Sequence, residues 1–311
     1  MSAKKIYVAL STFAQSSHEP IELLKASGYR VEINQTGKRL DKAQVIAKVA
    51  GSSAVIAGLE PYDAEVLRAL PGLQCISRCG VGVDNIDLKE AQHLKIKILN
   101  TPDAVVQPVA EMTLAMILDL LRKVSLHSSL MHRKQWEKHT GLQLAGKTIG
   151  VIGLGRIGRR VAELLIRLDC KVIAVDIKPD LVWARAHRVE CVDLDQLLSV
   201  SDLITLHVTA IEGQVIRLSK KHFSMMKRGV MLVNTARGTL IDEVAMIDAL
   251  KEGHVAGAAL DVFSNEPYQG PLCDEPNVVL TPHVATLTHE SRTAMEMEAV
   301  KQCLTALMKI Y

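Results

Sequence analysis

The sequence predicts an α/β protein built from two doubly wound parallel-sheet domains, the second inserted into the first so that the first is discontinuous. Three observations carry this. Short β-branched runs alternate with longer helical patterns along the chain, the pattern of a parallel sheet with crossover helices. A second series of the same kind starts near residue 148, after a proline-marked break at Asn100-Thr101-Pro102-Asp103. The stretch beyond Pro282 holds a single helix, too little for a domain, so it must return to the first one. With 311 residues the chain is long enough for two cores.

The first series runs through Ile6 to Leu10, Arg30 to Ile33, Ala54 to Ala57, Cys75 to Ser77 and Ile96 to Leu99, several of them nearly all apolar, as strands covered on both faces are. At the break, Pro102 and Asp103 sit where a first helical turn favours proline and acid, and the helical pattern extends to about Arg122. Pro108 is tolerated there only if the helix proper begins close to it. The second series comprises Thr148 to Ile152, Lys171 to Val175, Leu203 to Leu206, Val230 to Val233, Ala258 to Leu260 and Val278 to Leu280, a complete six-stranded sheet. The last helix spans about Glu290 to Met308. Domains are therefore expected at 1–101 plus 286–311, and at 102–285.

Composition excludes several classes of function. Thirty-seven Lys and Arg against 34 Asp and Glu leave a charge of +3, with no long run of one sign to bind a polyanion. Aromatic content of 3% removes the stacking platforms of a single-strand binder, so no nucleic-acid partner is expected. No apolar stretch approaches membrane-spanning length, and the apolar run after Lys4-Lys5 is too short for the core of a signal peptide. A cytoplasmic protein without a membrane partner is expected. The six cysteines lack C-x-x-C pairing or a nearby histidine at zinc spacing, so neither a metal nor a disulfide framework is expected.

The strongest motif is Gly153-Leu154-Gly155-Arg156-Ile157-Gly158, G-x-G-x-x-G placed between a strand and an amphipathic helix. Its glycines allow a tight turn, close backbone approach to a pyrophosphate and close helix–strand packing, while the helix N-terminus offers N–H groups to the anion. The next strand ends at Asp176, where an acid can bind ribose hydroxyls and would repel a 2′-phosphate. NAD is thus the expected cofactor.

Three strand-end segments carry the chemistry: Asn234-Thr235-Ala236-Arg237-Gly238, Asp261 to Pro267, and Thr281-Pro282-His283. Arg237 has a planar fork for a carboxylate, His283 exchanges a hydroxyl proton near neutral pH, and Glu266 would fix the tautomer of the imidazole. Each alone has an ordinary explanation as a surface or loop residue. Their order and shared position at the carboxyl edge of the sheet make a catalytic set of Arg237, Glu266 and His283.

Together with Ser77 to Asp87, Asn100 to Asp103, Val109-Ala110-Glu111, Ala258 to Phe263 and Pro282-His283, these motifs cover nearly the whole chain. On them the sequence resembles the D-2-hydroxyacid dehydrogenases, and specifically the phosphoglycerate dehydrogenase branch. The resemblance implies a Rossmann NAD-binding domain inserted into a flavodoxin-like substrate domain, and homodimers formed through the nucleotide domain. It implies that Arg78, Asn100 and the backbone of Gly80, Val81 and Gly82 meet the substrate. The positions implied on the nucleotide are Gly153, Gly155, Arg156, Ile157, Gly158, Asp176, Val208, Thr209, Thr235, Ala236, Arg237, Asp261, His283 and Ala285. The substrate implied is D-3-phosphoglycerate, at the entry to serine biosynthesis; the alternatives are a glyoxylate or hydroxypyruvate reductase and, from another class, an NAD(H)-sensing corepressor-like binding protein. The chain departs from the pattern at Val284-Ala285-Thr286, where relatives often carry glycine, and at Thr209, where they carry proline. Several phosphoglycerate enzymes have an arginine within the stretch that here reads Ala57-Gly58-Leu59-Glu60, which leaves Arg78, with Arg133 or Lys134 as alternatives, for the phosphate.

Overall fold

A computed structural model describes residues 4–208 and 216–308. It divides into two compact units, one of residues 1–105 and 287–311 and the other of residues 106–286. The second unit starts where the long interdomain helix starts, four residues beyond the position read from the sequence. Residues 102–105 form bends, and the helix itself begins at Val106, which puts Pro108 in its first turn where no intrahelical N–H is needed.

Chain order is β1 (Lys5–Val8), α1 (Glu19–Ala26), β2 (Arg30–Ile33), α2 (Lys42–Val49), β3 (Ser52–Ala57), α3 (Ala64–Arg68), β4 (Cys75–Arg78), α4 (Leu88–His93) and β5 (Lys97–Asn100). The second unit follows with α5 (Val106–Arg122), α6 (Val124–His132), β6 (Thr148–Ile152), α7 (Arg156–Arg167), β7 (Lys171–Val175), α8 (Leu181–Ala186), β8 (Glu190–Cys191), α9 (Leu194–Val200), β9 (Leu203–Leu206), α10 (Lys220–Met225), β10 (Val230–Asn234), α11 (Glu243–Lys251), β11 (Val255–Leu260) and β12 (Val278–Leu280). The closing helix α12 (His289–Met308) packs on β3 and β4 of the first unit. Helix starts are set by aspartate caps: Asp41, Asp63, Asp87, Asp180, Asp193 and Asp242 each accept a bond from a first-turn amide, satisfying a donor that the helix leaves open.

The first sheet has the parallel order β2-β1-β3-β4-β5, the second β12-β11-β10-β9-β6-β7-β8. The second has seven strands, not six. Its extra member, β8, is a two-residue pairing with Ile173 and Ala174, too short to give any periodic signal. Alternation of side chains fills both faces of this sheet: Ile149, Val151, Val172, Ala174 and Val233 enter one core, while Ile152, Ile173, Ile204 and Leu232 enter the other. Each such side chain contributes about 1.5–3 kcal/mol by leaving water. In both sheets the order of the strands reverses at one point, between β1 and β3 and between β6 and β9, and the carboxyl ends of strands at such a point are where open α/β sheets hold ligands. No described helix is long and apolar enough to cross a membrane.

Candidate active site

In the second unit the glycine loop leaves β6 at its reversal point. Gly153 adopts φ +97°, and a side chain there would meet the His207 carbonyl at 2.6 Å. At Gly158 a Cβ would lie 1.9 Å from the Gly153 carbonyl oxygen, so only glycine lets α7 press onto the turn. Gly155, the N-cap of α7, faces open space, and Arg156 and Ile157 form the helix start beside it. The cradle therefore fits a pyrophosphate: a 12-residue helix points its N-terminus at an unobstructed backbone. Asp176 accepts the Leu154 amide at 2.6 Å and the Lys178 amide at 2.8 Å, which fixes its carboxylate beside the loop with lone pairs left for hydroxyls. Val208 packs on Gly153. Next to it, His207 bonds Thr205 Oγ1 at 2.9 Å; its ring is desolvated, although the residue as a whole is only partly buried, and this pushes its pKa down to about 3. Thr209 lies outside the described residues.

His283 and Glu266 come together at the ends of β12 and β11, with His283 Nδ1 2.8 Å from Glu266 Oε2. The other carboxylate oxygen, Oε1, accepts the Phe263 amide at 3.0 Å, so the acid is held from both sides. Phe263 is fixed in turn by Tyr268, whose ring stacks on it with centroids 4.3 Å apart and whose hydroxyl donates to Glu243 at 2.6 Å. Burial and the neighbouring Glu243 push that phenol up to about 12, so it remains a donor. His283 has φ +54°, a left-handed conformation that costs a residue with a Cβ about 1–3 kcal/mol and persists only where surroundings enforce it.

The enforcing group is Asp261. It is fully buried, and its Oδ1 accepts the Thr281 hydroxyl at 2.6 Å and the Val284 amide at 2.8 Å, while Oδ2 accepts the Ala285 amide at 2.9 Å. Asp261, expected among the nucleotide contacts, clamps the loop that carries His283. Ala285 is likewise buried, its amide engaged by that carboxylate. Side chains at Val284 and Ala285 fit because the loop is held through its backbone.

Arg237 leaves β10 on a turn closed by Asn234, which accepts the Ala236 amide at 3.0 Å and donates to the Arg237 carbonyl at 2.8 Å. Its Nη1 donates to the Ala236 carbonyl at 2.7 Å, which sets the plane of the guanidinium. At Gly238 a Cβ would lie 2.0 Å from the Phe263 carbonyl carbon, so this glycine presses the Arg237 turn against the segment that carries Glu266. Thr235, expected on the cofactor, turns its hydroxyl into the core toward Thr113 at 2.9 Å and is 8% exposed.

In the first unit, the residues expected to meet substrate gather at the ends of β4 and β5. Gly80 is buried, and its amide donates to Thr101 Oγ1 at 2.7 Å, so it is not open to a carboxylate. Val81 and Gly82 are half-exposed, and among the described residues nothing accepts from their amides. Asn100 acts on this loop from behind, donating to the Val81 carbonyl at 2.8 Å. Arg78 folds over Gly80 and donates Nη1 to the Cys79 carbonyl at 2.7 Å. Sequence reasoning missed the loop-clamping role of Asp261, because the bonds it makes join segments twenty or more residues apart. It also missed the buried Glu60, whose only signal was an acid just past an apolar strand at the sheet reversal.

Residues 114–285 match the NAD-binding domain of the D-isomer specific 2-hydroxyacid dehydrogenases. A D-3-phosphoglycerate dehydrogenase of Archaeoglobus fulgidus is 39% identical over 288 residues, 90% of this chain and 54% of that protein. A glyoxylate reductase of Thermofilum pendens is 39% identical over 257 residues, 80% of this chain and 76% of that protein. The chain thus spans about half the length of the phosphoglycerate dehydrogenase and three quarters of the reductase. A D-lactate dehydrogenase of Aquifex aeolicus, solved with NAD and lactic acid, superposes with a TM-score of 0.85 at 28% identity, over 98% of this chain and 96% of that one.

Two outcomes follow from this geometry. Asp261→Ala strands buried donors of the 281–285 loop and is expected to lower stability by at least about 1–3 kcal/mol, measured by urea denaturation. His207, held neutral in the fold, takes up a proton on unfolding, so its contribution to stability is complete above pH 6.5 and is lost as pH falls toward 3. The urea midpoint of the parent should therefore drop more steeply below pH 6.5 than that of His207→Asn.

Proposed function

From the premise that the chain belongs to the D-isomer specific 2-hydroxyacid dehydrogenase family, we propose that it catalyses reversible hydride transfer between NAD and a small D-2-hydroxy acid. The observation that carries this reading is the His283–Glu266 pair, fixed by Phe263 on one side and by the Asp261 clamp on the other. Since the carboxylate accepts at Nδ1, the proton sits on that nitrogen and Nε2 carries the lone pair that takes the C2 hydroxyl proton during oxidation. In the reverse direction the imidazolium returns that proton to the carbonyl oxygen, and Glu266 stabilises the charged ring. Arg237 binds the carboxylate of the acid, its plane already set by the Ala236 carbonyl. The loop of Gly153 to Gly158 and the start of α7 would hold the pyrophosphate of NAD, Asp176 its adenosine ribose, and Val208 and Ala236 would flank it. When bound, NAD supplies or accepts the hydride.

The same reading includes a homodimer formed through α5 and α6. Leu118, Val124 and Met131 on these helices and Trp136 and Leu142 in the segment after α6 are exposed, Trp136 by 78%, and Leu118, Arg122, Val124, His127, Ser128 and Met131 line a cavity of about 610 Å³. A patch of this kind marks a surface that a partner covers, and a second copy supplies matching apolar side chains. The cytoplasm is the compartment proposed, in keeping with six free thiols, four of them buried.

NADH oxidation against a panel of 2-keto acids tests the function. His283→Ala is expected to lower kcat by about 10²- to 10⁴-fold while NADH binding, followed by fluorescence, is retained. An active His283→Ala, or a parent that binds NADH and turns over no acid, sinks the enzyme reading, the second outcome pointing to a sensing protein. For the dimer, sedimentation should give twice the chain mass for the parent and a single chain for Trp136→Glu; a monomeric parent rejects it.

A further inference from the structure

Glu266 stands on a loop with little packing of its own. Ser264, Asn265, Glu266 and Pro267 are all exposed, whereas Phe263 and Tyr268, which flank them, pack against the core of the second unit. The two flanking rings stack with centroids 4.3 Å apart and planes 19° from parallel, so the loop is closed at its base by an aromatic pair.

Tyr268 is the member of that pair tied to the fold beyond the loop. Its hydroxyl donates to Glu243 Oε1 at 2.6 Å and accepts the Leu272 amide at 3.2 Å. Glu243 is the first residue of α11, whose Ala245, Met246 and Leu250 are buried in the same core, so the acceptor is carried by a packed helix. Gly270 makes room for the ring, since a Cβ there would lie 2.4 Å from the Tyr268 hydroxyl oxygen. The constraint then passes to the acid through one backbone group. The Phe263 amide donates to Glu266 Oε1 at 3.0 Å, while Oε2 of the same carboxylate lies 2.8 Å from His283 Nδ1. Because one planar group makes both bonds, a Phe263 amide that moves turns Oε2 away from the imidazole.

We propose that Tyr268 is a positioning residue: anchored on Glu243 and stacked on Phe263, it holds the 264–267 loop so that Glu266 stays on His283 Nδ1. The proposal deepens the hydride-transfer reading and rests on it for the kinetic consequence. Tyr268 works through the alignment of the proton-transfer pair, so its loss lowers the rate of the chemical step and leaves the nucleotide cradle at the end of β6 as it was.

The test is steady-state NADH oxidation by the full chain, with the 2-keto acid that the parent turns over best, for the parent, Tyr268→Leu and Tyr268→Phe, and for Tyr268→Leu combined with Glu266→Ala. Tyr268→Leu removes both stack and anchor and should lower kcat at least about tenfold, with KM for the acid and the affinity for NADH kept within about threefold. Tyr268→Phe keeps the stack and should recover most of that loss. Once Glu266 is alanine there is no carboxylate to align, and Tyr268→Leu should then cost less than about twofold. A parental kcat in Tyr268→Leu, an effect on KM alone, no recovery in Tyr268→Phe, or the same fold-loss without Glu266 overturns the proposal. Loss of NADH binding in Tyr268→Leu shows a structural role only and overturns it as well. Should no acid turn over, the hydride-transfer reading fails by itself, and proton NMR decides the role of Tyr268. The downfield resonance of the His283 Nδ1 proton, identified by its loss in His283→Ala, should be present in the parent and lost in Tyr268→Leu. Its absence from the parent, or its survival in Tyr268→Leu, rejects the proposal.

Discussion

The buried carboxylate of Asp261 is the constraint from which the geometry of the second unit's site follows. It stands at the end of β11 and takes its three bonds from the chain just past β12, so two parallel strands are joined at the edge that carries His283. A carboxylate withdrawn from water demands donors, and here the donors belong to the residues flanking His283. Their bonds hold His283 in a left-handed conformation that the isolated chain would avoid. Strain of this kind survives only where the surroundings over-determine it.

Glu266 is held with comparable redundancy. One oxygen meets the imidazole and the other a backbone amide, while the amide's own residue is stacked by Tyr268 and pressed by the Gly238 turn that delivers Arg237. Three segments from the ends of β10, β11 and β12 thus form one packed group. Positioning of this kind lowers a barrier because the entropy of alignment is lost during folding and not during reaction.

In the first unit, Arg78 braces its own loop and Arg292 is matched by a buried glutamate.

The sequence by itself determined the first sheet, six strands of the second, the glycine turn, and the strand-end positions of Arg237, Glu266 and His283. These features have local causes: strand and helix periodicity, a turn that only glycine can make, and reactive residues directly after apolar strands. The two-residue β8 escaped because a pattern needs length to be seen. Tertiary structure alone decided that Asp261 clamps a loop, that Thr235 faces the core, that the Gly80 amide is taken by Thr101, and that Glu60 is buried on the Gly58 amide. Each of these depends on burial or on a bond between distant segments. A polar side chain takes its role from the donors, acceptors and charges that folding sets around it, and the sequence names the residue without naming those neighbours.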